Sequence, residues 1–415
     1  MQQVGYRLAT YALLAGALLR VVLIAILDPH FIDFYCFVDA AQALMRGVDP
    51  FKLENLRWVQ WEEAPLVYPG LALFFVPFAL IGPDIGKWIF YAANIMAGAA
   101  YYAIVVRASG RSAPFSLRKP DLQTTVVALG AFLFANSIFF TLCIRVGQIS
   151  ILAALLLFLS LTARGEASRV VSFGLAAVAK YSNAPIVGLY YVLSFRFRLC
   201  LLSSSLFAFV SAIPIVFGHN PIGLYSSYEQ SLLVWMAPDG GNSFASSGQT
   251  ILSAGFFKPL AAQICINVFF AAAFILMGRK ILKDRASGHS LHAVLMLACL
   301  TLAILYHRVY DGVLVYPLIL LEFAEFVRRR DWINSTIAGF FVFVFALPGS
   351  LLERAAIAAG KAIGENPLIH LPAGQFPLAS VLFFLLTVYS VCLYARGTPT
   401  RILGASRDRN DNAAC

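Results

Sequence analysis

Long apolar runs recur from one end of the chain to the other. The first, residues 8–27, has 20 residues and a single charge, Arg20, and a membrane-spanning helix needs roughly 20 apolar residues. Across all 415 residues, 60% are hydrophobic and 13% are charged, whereas soluble domains average about 45–50% and about 25%. Because a backbone in lipid must satisfy its hydrogen bonds within the chain, these runs predict an all-α polytopic membrane protein.

Basic clusters between the apolar runs set the predicted topology. Lys and Arg concentrate in the cytoplasmic loops of membrane proteins, which accounts for the net charge of +10 without a nucleic-acid partner. About twelve transmembrane helices then place every cluster and both termini in the cytoplasm, beneath a plasma (inner) membrane. The predicted helices lie near residues 8–27, 85–106, 123–144, 149–163, 170–180, 182–195, 199–217, 259–280, 290–305, 312–327, 332–348 and 376–395.

Some apolar stretches are shorter than a full span. Residues 71–81 contain Pro77 and are predicted to form a re-entrant or interfacial helix on the outer face, because they are too short to cross. The helices predicted at 170–180 and 182–195 form a short pair. Lys180 lies at the turn between them, in the outer half of the bilayer, where a lysine that snorkels to the interface is one interpretation.

The chain is predicted to form one integral membrane domain, residues 1–415, with its acidic residues on one side. Most of them lie in or beside three long outer loops, at 28–84, 218–258 and 349–375, while residues 396–415 form a polar cytoplasmic tail predicted to be disordered. This asymmetry favours chemistry at the outer membrane surface. The seven cysteines show no metal-ligand spacing, and neither a metal nor a cofactor is predicted.

The first outer loop opens with a candidate catalytic acid. A helix is predicted from Asp33 to about Arg46, ending at Gly47, where helices commonly stop. Asp33 has two compatible interpretations: an N-cap that accepts backbone N–H groups, and a general base at the membrane boundary. Further along, residues 225–250 are rich in Gly, Ser and Tyr; they are predicted to form a mobile substrate-binding loop, with a plain outer linker as the alternative.

Several motifs resemble, in order, those of the family 87 glycosyltransferases over roughly residues 30–330. The matching residues are Asp33-Phe34-Tyr35, Arg46-Gly47-Val48-Asp49-Pro50-Phe51, Tyr68-Pro69, Asn136, Gly147-Gln148, Gly174 through Lys180, and Tyr306-His307-Arg308-Val309-Tyr310-Asp311. The chain departs from the family pattern at Gly70, Ser150 and Tyr181, where the family has Pro, Asn and Pro. The topology from charge used none of these motifs, yet it places the polar members of the set on the outer face.

The resemblance implies a C-type glycosyltransferase fold with a large first extracytoplasmic loop that carries juxtamembrane helices. It also implies a polyprenyl-phosphate sugar donor, a glycolipid or glycan acceptor outside the cytoplasm, and an inverting transfer of a monosaccharide, with mannose expected. The implied site residues are a base that deprotonates the acceptor, Asp33; ligands of the donor phosphate, Lys180, Arg308 and His307; and substrate-binding residues, Tyr68, Gln148 and Asp311.

Structural roles compete with these assignments. Arg308 is expected to pair with Asp311 if it does not bind substrate, Tyr68 to lie in an interfacial aromatic belt, and Gln148 to cap or pack a helix. Three other functions stay open: a lipid-linked glycan flippase or transporter, a ligase for preassembled glycans like the O-antigen ligases, and an assembly protein without an active site. A transporter usually has polar groups near the bilayer midplane, whereas the predicted helix interiors carry little charge besides Arg20.

Overall fold

The computed structural model describes most of the chain: residues 2–27, 30–58, 67–108, 121–236, 260–283, 289–304, 309–347, 351, 354–355, 357–358, 361–362, 375–396 and 402–403. Within these residues the secondary structure is helical, apart from a short antiparallel pairing of β1 (His289–Ser290) with β2 (Ile402–Leu403). The all-helical architecture predicted from the apolar runs is therefore confirmed.

The α-helices are numbered here in chain order. They are α1 (Gln2–Leu27), α2 (Ile32–Met45), α3 (Pro69–Ala72), α4 (Val76–Ile81), α5 (Pro83–Ala108), α6 (Leu122–Asn136), α7 (Ile138–Val146), α8 (Ser150–Thr162), α9 (Glu166–Ala179), α10 (Ala184–Leu193), α11 (Phe197–Ala212), α12 (Pro221–Met236), α13 (Leu260–Lys283), α14 (Leu291–Ile304), α15 (Tyr316–Arg329), α16 (Trp332–Phe345) and α17 (Gln375–Arg396). Turns of 3-10 helix lie at Leu53–Asn55, Leu73–Phe75, Tyr181–Asn183, Ile213–Phe217 and Val309–Leu314.

Three helical segments of the described chain are long and apolar enough to cross a membrane: Gln3–Leu27, Pro83–Arg107 and Phe197–Phe217. Helices α6 and α7, bent by 52° at their junction, form a fourth span if they are taken together. Each predicted helix overlaps one of the helices above, except that the helix predicted at 123–144 is two helices, α6 and α7. The total of about twelve crossings is more than these lengths establish, and it stays a prediction.

Residues 71–81 form a broken apolar helix and not a full span. They lie in α3 and α4, which a 3-10 turn at Leu73–Phe75 separates, and the whole stretch Pro69–Ile81 is shorter than a membrane crossing. Its rings pack against the start of α2. The fully buried Phe34 contacts Phe75 and Phe78, with ring centroids 6.1 and 5.9 Å apart.

Helix α2 is buried on nearly all sides. Its buried residues include the carboxylate-bearing Asp39, whose Oδ2 accepts a hydrogen bond of 2.6 Å from the Trp58 backbone N–H. The N-cap is Phe31 in a left-handed conformation, without a side-chain cap, and Asp33 lies within the first helical turn. The N-cap interpretation of Asp33 is therefore wrong. The expected stop near Gly47 is confirmed, since Gly47 has a φ of 70°.

Both ends of α2 are fixed to distant parts of the chain. At its start, the backbone N–H groups of His30 and Phe31 both donate to the Arg145 carbonyl, at 3.1 and 3.0 Å. At its end, His219 Nε2 lies 2.9 Å from the Leu44 carbonyl oxygen. The hydrogen bonds to Arg145 place the first turn of α2 directly against the turn between α7 and α8.

Helix α8 defines the two faces of the molecule. It begins at Ser150 and packs on α9, which ends beside Lys180, so the connection at 163–165 lies at the other end of both helices. The end where α8 begins is called the site face below, and the end near residues 163–165 is called the opposite face.

Two expectations about loops need correction. Tyr225 and Tyr228 lie on α12, so the first part of the segment predicted as a mobile loop, residues 225–250, is helical up to Met236; the rest of it lies outside the described residues. The polar tail after Arg396 was predicted to be disordered, but Ile402–Leu403 pairs with β1.

The turn at Gly147 provides a test of the contact between α2 and α7. Gly147 has a φ of 73°, and a Cβ there would lie 2.7 Å from the Phe34 Cβ. We expect Gly147→Ala to lower the free energy of unfolding by about 2–5 kcal/mol, because left-handed strain and steric overlap add. Gly218→Ala is the matched control, since Gly218 has a φ of 84° but nothing within 4 Å.

The control isolates the backbone strain, which costs about 1–2 kcal/mol. Denaturant titration of the purified protein in detergent compares the two variants. Equal losses of stability would contradict a close approach of α2 to this turn.

Candidate functional site

The first element of the site is a carboxylate held by an amide. The Gln148 side chain donates a hydrogen bond from Nε2 to Asp33 Oδ2 at 2.8 Å. Gln148 is 6% exposed, and its own Oε1 accepts from the Ile149 backbone N–H at 2.9 Å. Both polar atoms of the amide are thus hydrogen-bonded, and the amide orients the half-buried Asp33 carboxylate.

The second element is a buried ion pair with a shared hydroxyl. Lys180 Nζ contacts Asp311 Oδ1 and donates to Ser150 Oγ at 2.9 Å, and Ser150 Oγ donates to the same Asp311 oxygen at 2.6 Å. The Asp311 side chain is 1% exposed and that of Lys180 is 16% exposed. A buried charge must be paired to be tolerated, and this triangle compensates the two charges.

The start of α8 connects the two elements. Gln148 and Ser150 are two residues apart at the start of α8, and they contact Asp33 and Asp311 respectively. One helix start therefore brings the Asp33 carboxylate next to the lysine that ends α9.

A further cation lies at the same turn. The Arg145 guanidinium nitrogen Nη2 is 2.7 Å from His30 Nε2, and the Arg145 carbonyl accepts the two backbone N–H groups that precede α2. Arg145 is half-buried and comes three residues before Gln148. It places a positive charge on the same short turn as the amide that holds Asp33.

Tyr68 belongs to an aromatic cluster beside Lys180. Its ring stacks on Phe207 at 5.4 Å and lies 5.6 Å from the ring of Tyr181, which follows Lys180 in the chain. Two rings of α12 complete the cluster, those of Tyr225 and Tyr228.

The Tyr68 hydroxyl is 2.6 Å from Ser211 Oγ. Ser211 donates its own proton to the Phe207 carbonyl, so Tyr68 is the donor in that contact. Burial raises the pKa of Tyr68 well above its usual value, which keeps the phenol neutral.

The structure brings together the described members of the predicted site. Asp33 and Gln148 contact each other, Lys180 pairs with Asp311, and Tyr68 adjoins them through Tyr181. The snorkelling interpretation of Lys180 is wrong, since its ammonium points inward to a buried acid. His307 and Arg308 lie outside the described residues, so their assignments stay predictions.

Three residues of the site were missed from the sequence. Ser150 stood out only as a departure from the family pattern, yet it bridges Lys180 and Asp311. Arg145 and His30 were not singled out. The available signal was an arginine two residues before Gly147-Gln148, near the end of a predicted span.

Fold and site together define a helical integral membrane protein with a polar site enclosed by its helices. Residues 67–305 match the model of glycosyltransferase family 87, which is more than half of the 415-residue chain. The chain belongs to glycosyltransferase family 87, as the motifs predicted, and it is a membrane glycosyltransferase. No curated protein and no solved structure matches the chain. Asp33 precedes the matched residues, so its role rests on the geometry and the motif alone.

The buried ion pair generates a stability prediction. We expect Lys180→Met and Asp311→Asn each to lower the free energy of unfolding by about 3–5 kcal/mol, because each leaves an uncompensated buried charge. The double variant should lose less than the sum of the two, since it removes both charges. Denaturant titration of the four proteins in one detergent measures this coupling.

Asp84→Asn serves as the control on an exposed pair. Asp84 is 79% exposed and pairs with Lys87 three residues on, so its loss should cost about 0–1 kcal/mol. Additive losses at Lys180 and Asp311 would show that the pair does not exist in the membrane protein.

Proposed function

We propose that this glycosyltransferase transfers a monosaccharide, with mannose expected from the family resemblance, from a polyprenyl-phosphate carrier to an extracytoplasmic glycolipid or glycan. The observation that carries the proposal is the Asp33–Gln148 contact beside the Lys180–Ser150–Asp311 triangle. It places a proton acceptor next to fixed cations at one end of a bundle of apolar helices. A lipid-linked donor presents its phosphate and sugar at that depth.

Asp33 is the proposed general base. The acceptor hydroxyl attacks the anomeric carbon, the bond from that carbon to the phosphate oxygen breaks, and the hydroxyl proton passes to the Asp33 carboxylate. Gln148 donates to Oδ2 and so orients the carboxylate that receives this proton. A single displacement of this kind inverts the configuration at the anomeric carbon.

The leaving phosphate needs fixed positive charge, since negative charge develops there as the bond breaks. Asp311 already compensates much of the Lys180 charge. Arg145, beside His30 at the same turn, is therefore proposed as a further phosphate ligand. A guanidinium suits this role because its planar fork of donors matches phosphate oxygens. His307 and Arg308 remain proposed donor ligands on the strength of the motif.

The remaining assignments concern substrate positioning. Asp311 is proposed to act through Lys180, which it contacts, and not by touching the sugar. Tyr68 is proposed to border the sugar, since its cluster adjoins Lys180 through Tyr181 and aromatic faces pack well on apolar ring surfaces.

The base assignment predicts a large loss of rate in Asp33→Asn, which keeps the shape of the side chain and removes its basicity. We expect the rate of transfer from radiolabelled polyprenyl-phosphate-mannose to fall by about 10²–10⁴-fold, the usual contribution of a positioned base. Glu54→Gln is the matched control, an exposed acid of the same outer segment, and it should keep the wild-type rate. Both are assayed as purified protein in lipid.

The outcomes separate the rival functions. If wild-type protein releases no sugar from this donor or from carriers with other monosaccharides, the proposal fails and a flippase becomes the leading alternative. If only long oligosaccharide carriers serve as donors, the protein is a ligase. An unchanged rate in Asp33→Asn would move the base to another residue and leave the donor assignment intact.

Gln148 is predicted to position the base. Gln148→Leu removes the N–H that holds Oδ2 while keeping the volume similar, and we expect kcat to fall about tenfold, the scale of one hydrogen bond to a charged group. The KM for the donor should stay within about twofold, because Gln148 donates to Asp33 and is proposed to act through the base. A rise in KM at constant kcat would instead make Gln148 a substrate ligand.

A further inference from the structure

Two apolar grooves open on the part of the molecule away from the candidate site. Each has a volume of about 780 Å³, within the usual range of about 300–1,000 Å³ for ligand sites. The first lies between α1, α5 and α6, and the second lies between α5, α6 and α15. They share four lining residues, Tyr102, Val106, Gln123 and Val127, so they adjoin along the gap between α5 and α6.

The first groove has the depth of one membrane leaflet. It runs along α5 from Arg107, at the end of the span, to Ile95 at its middle, a distance of about 18 Å at 1.5 Å per residue. Half of a hydrocarbon core of about 30 Å is about 15 Å. The groove therefore reaches from the opposite face to the bilayer midplane, and the exposed side chain of Leu18 borders it on α1.

The inner end of this groove is closed by aromatic rings. A Cβ added to Gly98 would lie 2.5 Å from the ring of Phe140, and the rings of Phe140 and Phe134 are 4.9 Å apart. Beyond them, the Tyr91 hydroxyl donates to the Val21 carbonyl and ties α5 to α1. The grooves are thus separate from the Asp33 site.

Among the described residues, Arg107 and Asp121 place charges of opposite sign at the mouths of the two grooves. Arg107 borders the first and has no ion-pair partner among the described residues. Asp121 borders the second and caps α6, where its Oδ1 accepts from the Thr124 N–H and hydroxyl, both at 2.8 Å. Arg328 also borders the second groove, where it donates two hydrogen bonds to Glu325, which accepts a further one from Arg329.

We propose that these adjoining grooves bind one two-chained phospholipid of the leaflet at the opposite face, with a headgroup that carries a primary ammonium. One chain occupies each groove. The phosphate pairs with Arg107, and the ammonium donates to Asp121. A headgroup with one positive and one negative charge complements this mouth, whereas an anionic headgroup would meet the Asp121 carboxylate without compensation.

Native mass spectrometry of the full-length protein tests the site without any activity assay. The protein is equilibrated in a bilayer of equal parts phosphatidylethanolamine, phosphatidylcholine and phosphatidylglycerol with identical chains. We expect one phosphatidylethanolamine per protein to be retained about tenfold over the other two, the scale of one charge-assisted hydrogen bond. Equal retention of all three lipids would overturn the headgroup assignment, and so would preferential retention of phosphatidylglycerol.

Variants separate the headgroup from the grooves. Arg107→Gln and Asp121→Asn should each remove the preference for phosphatidylethanolamine, whereas Arg164→Gln, an exposed arginine of the opposite face, should retain it. Ala103→Phe places a ring in the first groove, where Ala103 is an exposed lining residue, and it should abolish retention of every phospholipid.

The thermal midpoint of each variant without added lipid shows whether it is folded. In folded protein, added phosphatidylethanolamine should raise the midpoint of wild type but not of Ala103→Phe. Wild-type lipid retention by a folded Ala103→Phe protein would rule out the groove as the site.

Discussion

The candidate site depends on the close contact between the start of α2 and the turn that joins α7 to α8. Gly147 allows Phe34 to approach the backbone more closely than any Cβ would permit. Hydrogen bonds hold the same two segments together, since the Arg145 carbonyl accepts the two N–H groups that precede α2. Because Asp33 lies in the first turn of α2 and Gln148 lies in the turn before α8, this contact fixes Asp33 relative to Gln148. Loss of the approach would separate the carboxylate from its amide.

The second constraint is electrostatic: the charged side chains in the interior must be paired. An ionised group in a low-dielectric interior is tolerated only when it is paired and hydrogen-bonded, and the structure meets this condition with Lys180, Asp311 and Ser150. The arrangement fixes the side chain of Lys180 before any substrate arrives. It also reduces the net charge that Lys180 offers to a phosphate, which gives the neighbouring Arg145 a role in the proposed reaction. The departure from the family pattern at Ser150 lies within this triangle, where a hydroxyl both accepts from the lysine and donates to the acid.

The predicted elements and the observed ones agree best where a single physical rule decides the outcome. The apolar runs became helices because a lipid-embedded backbone has no other way to satisfy its hydrogen bonds, and Gly47 ends α2 because it adopts a left-handed conformation. The agreement is poorer where a contact with a distant segment of the chain determines the local structure. Asp33 was interpreted as an N-cap from its position in the sequence, but the backbone of Phe31 turns against Arg145 and moves the helix start upstream. The polar composition of the tail after Arg396 predicts disorder, yet two residues of the tail pair with β1.

The sequence by itself determined that this is a membrane protein, which segments form helices, and the family to which the chain belongs. It also predicted that Asp33, Gln148, Lys180 and Asp311 share one face, because the distribution of basic residues indicates which helix ends lie on the same side. Only the tertiary structure decided which of these groups are partners. Lys180 and Asp311 are 131 residues apart in the chain, as the contact between them records, and Gln148 is 115 residues from Asp33. Hydrogen bonds and ion pairs act over a few ångströms, and no periodicity or spacing along the chain specifies contacts between segments that far apart.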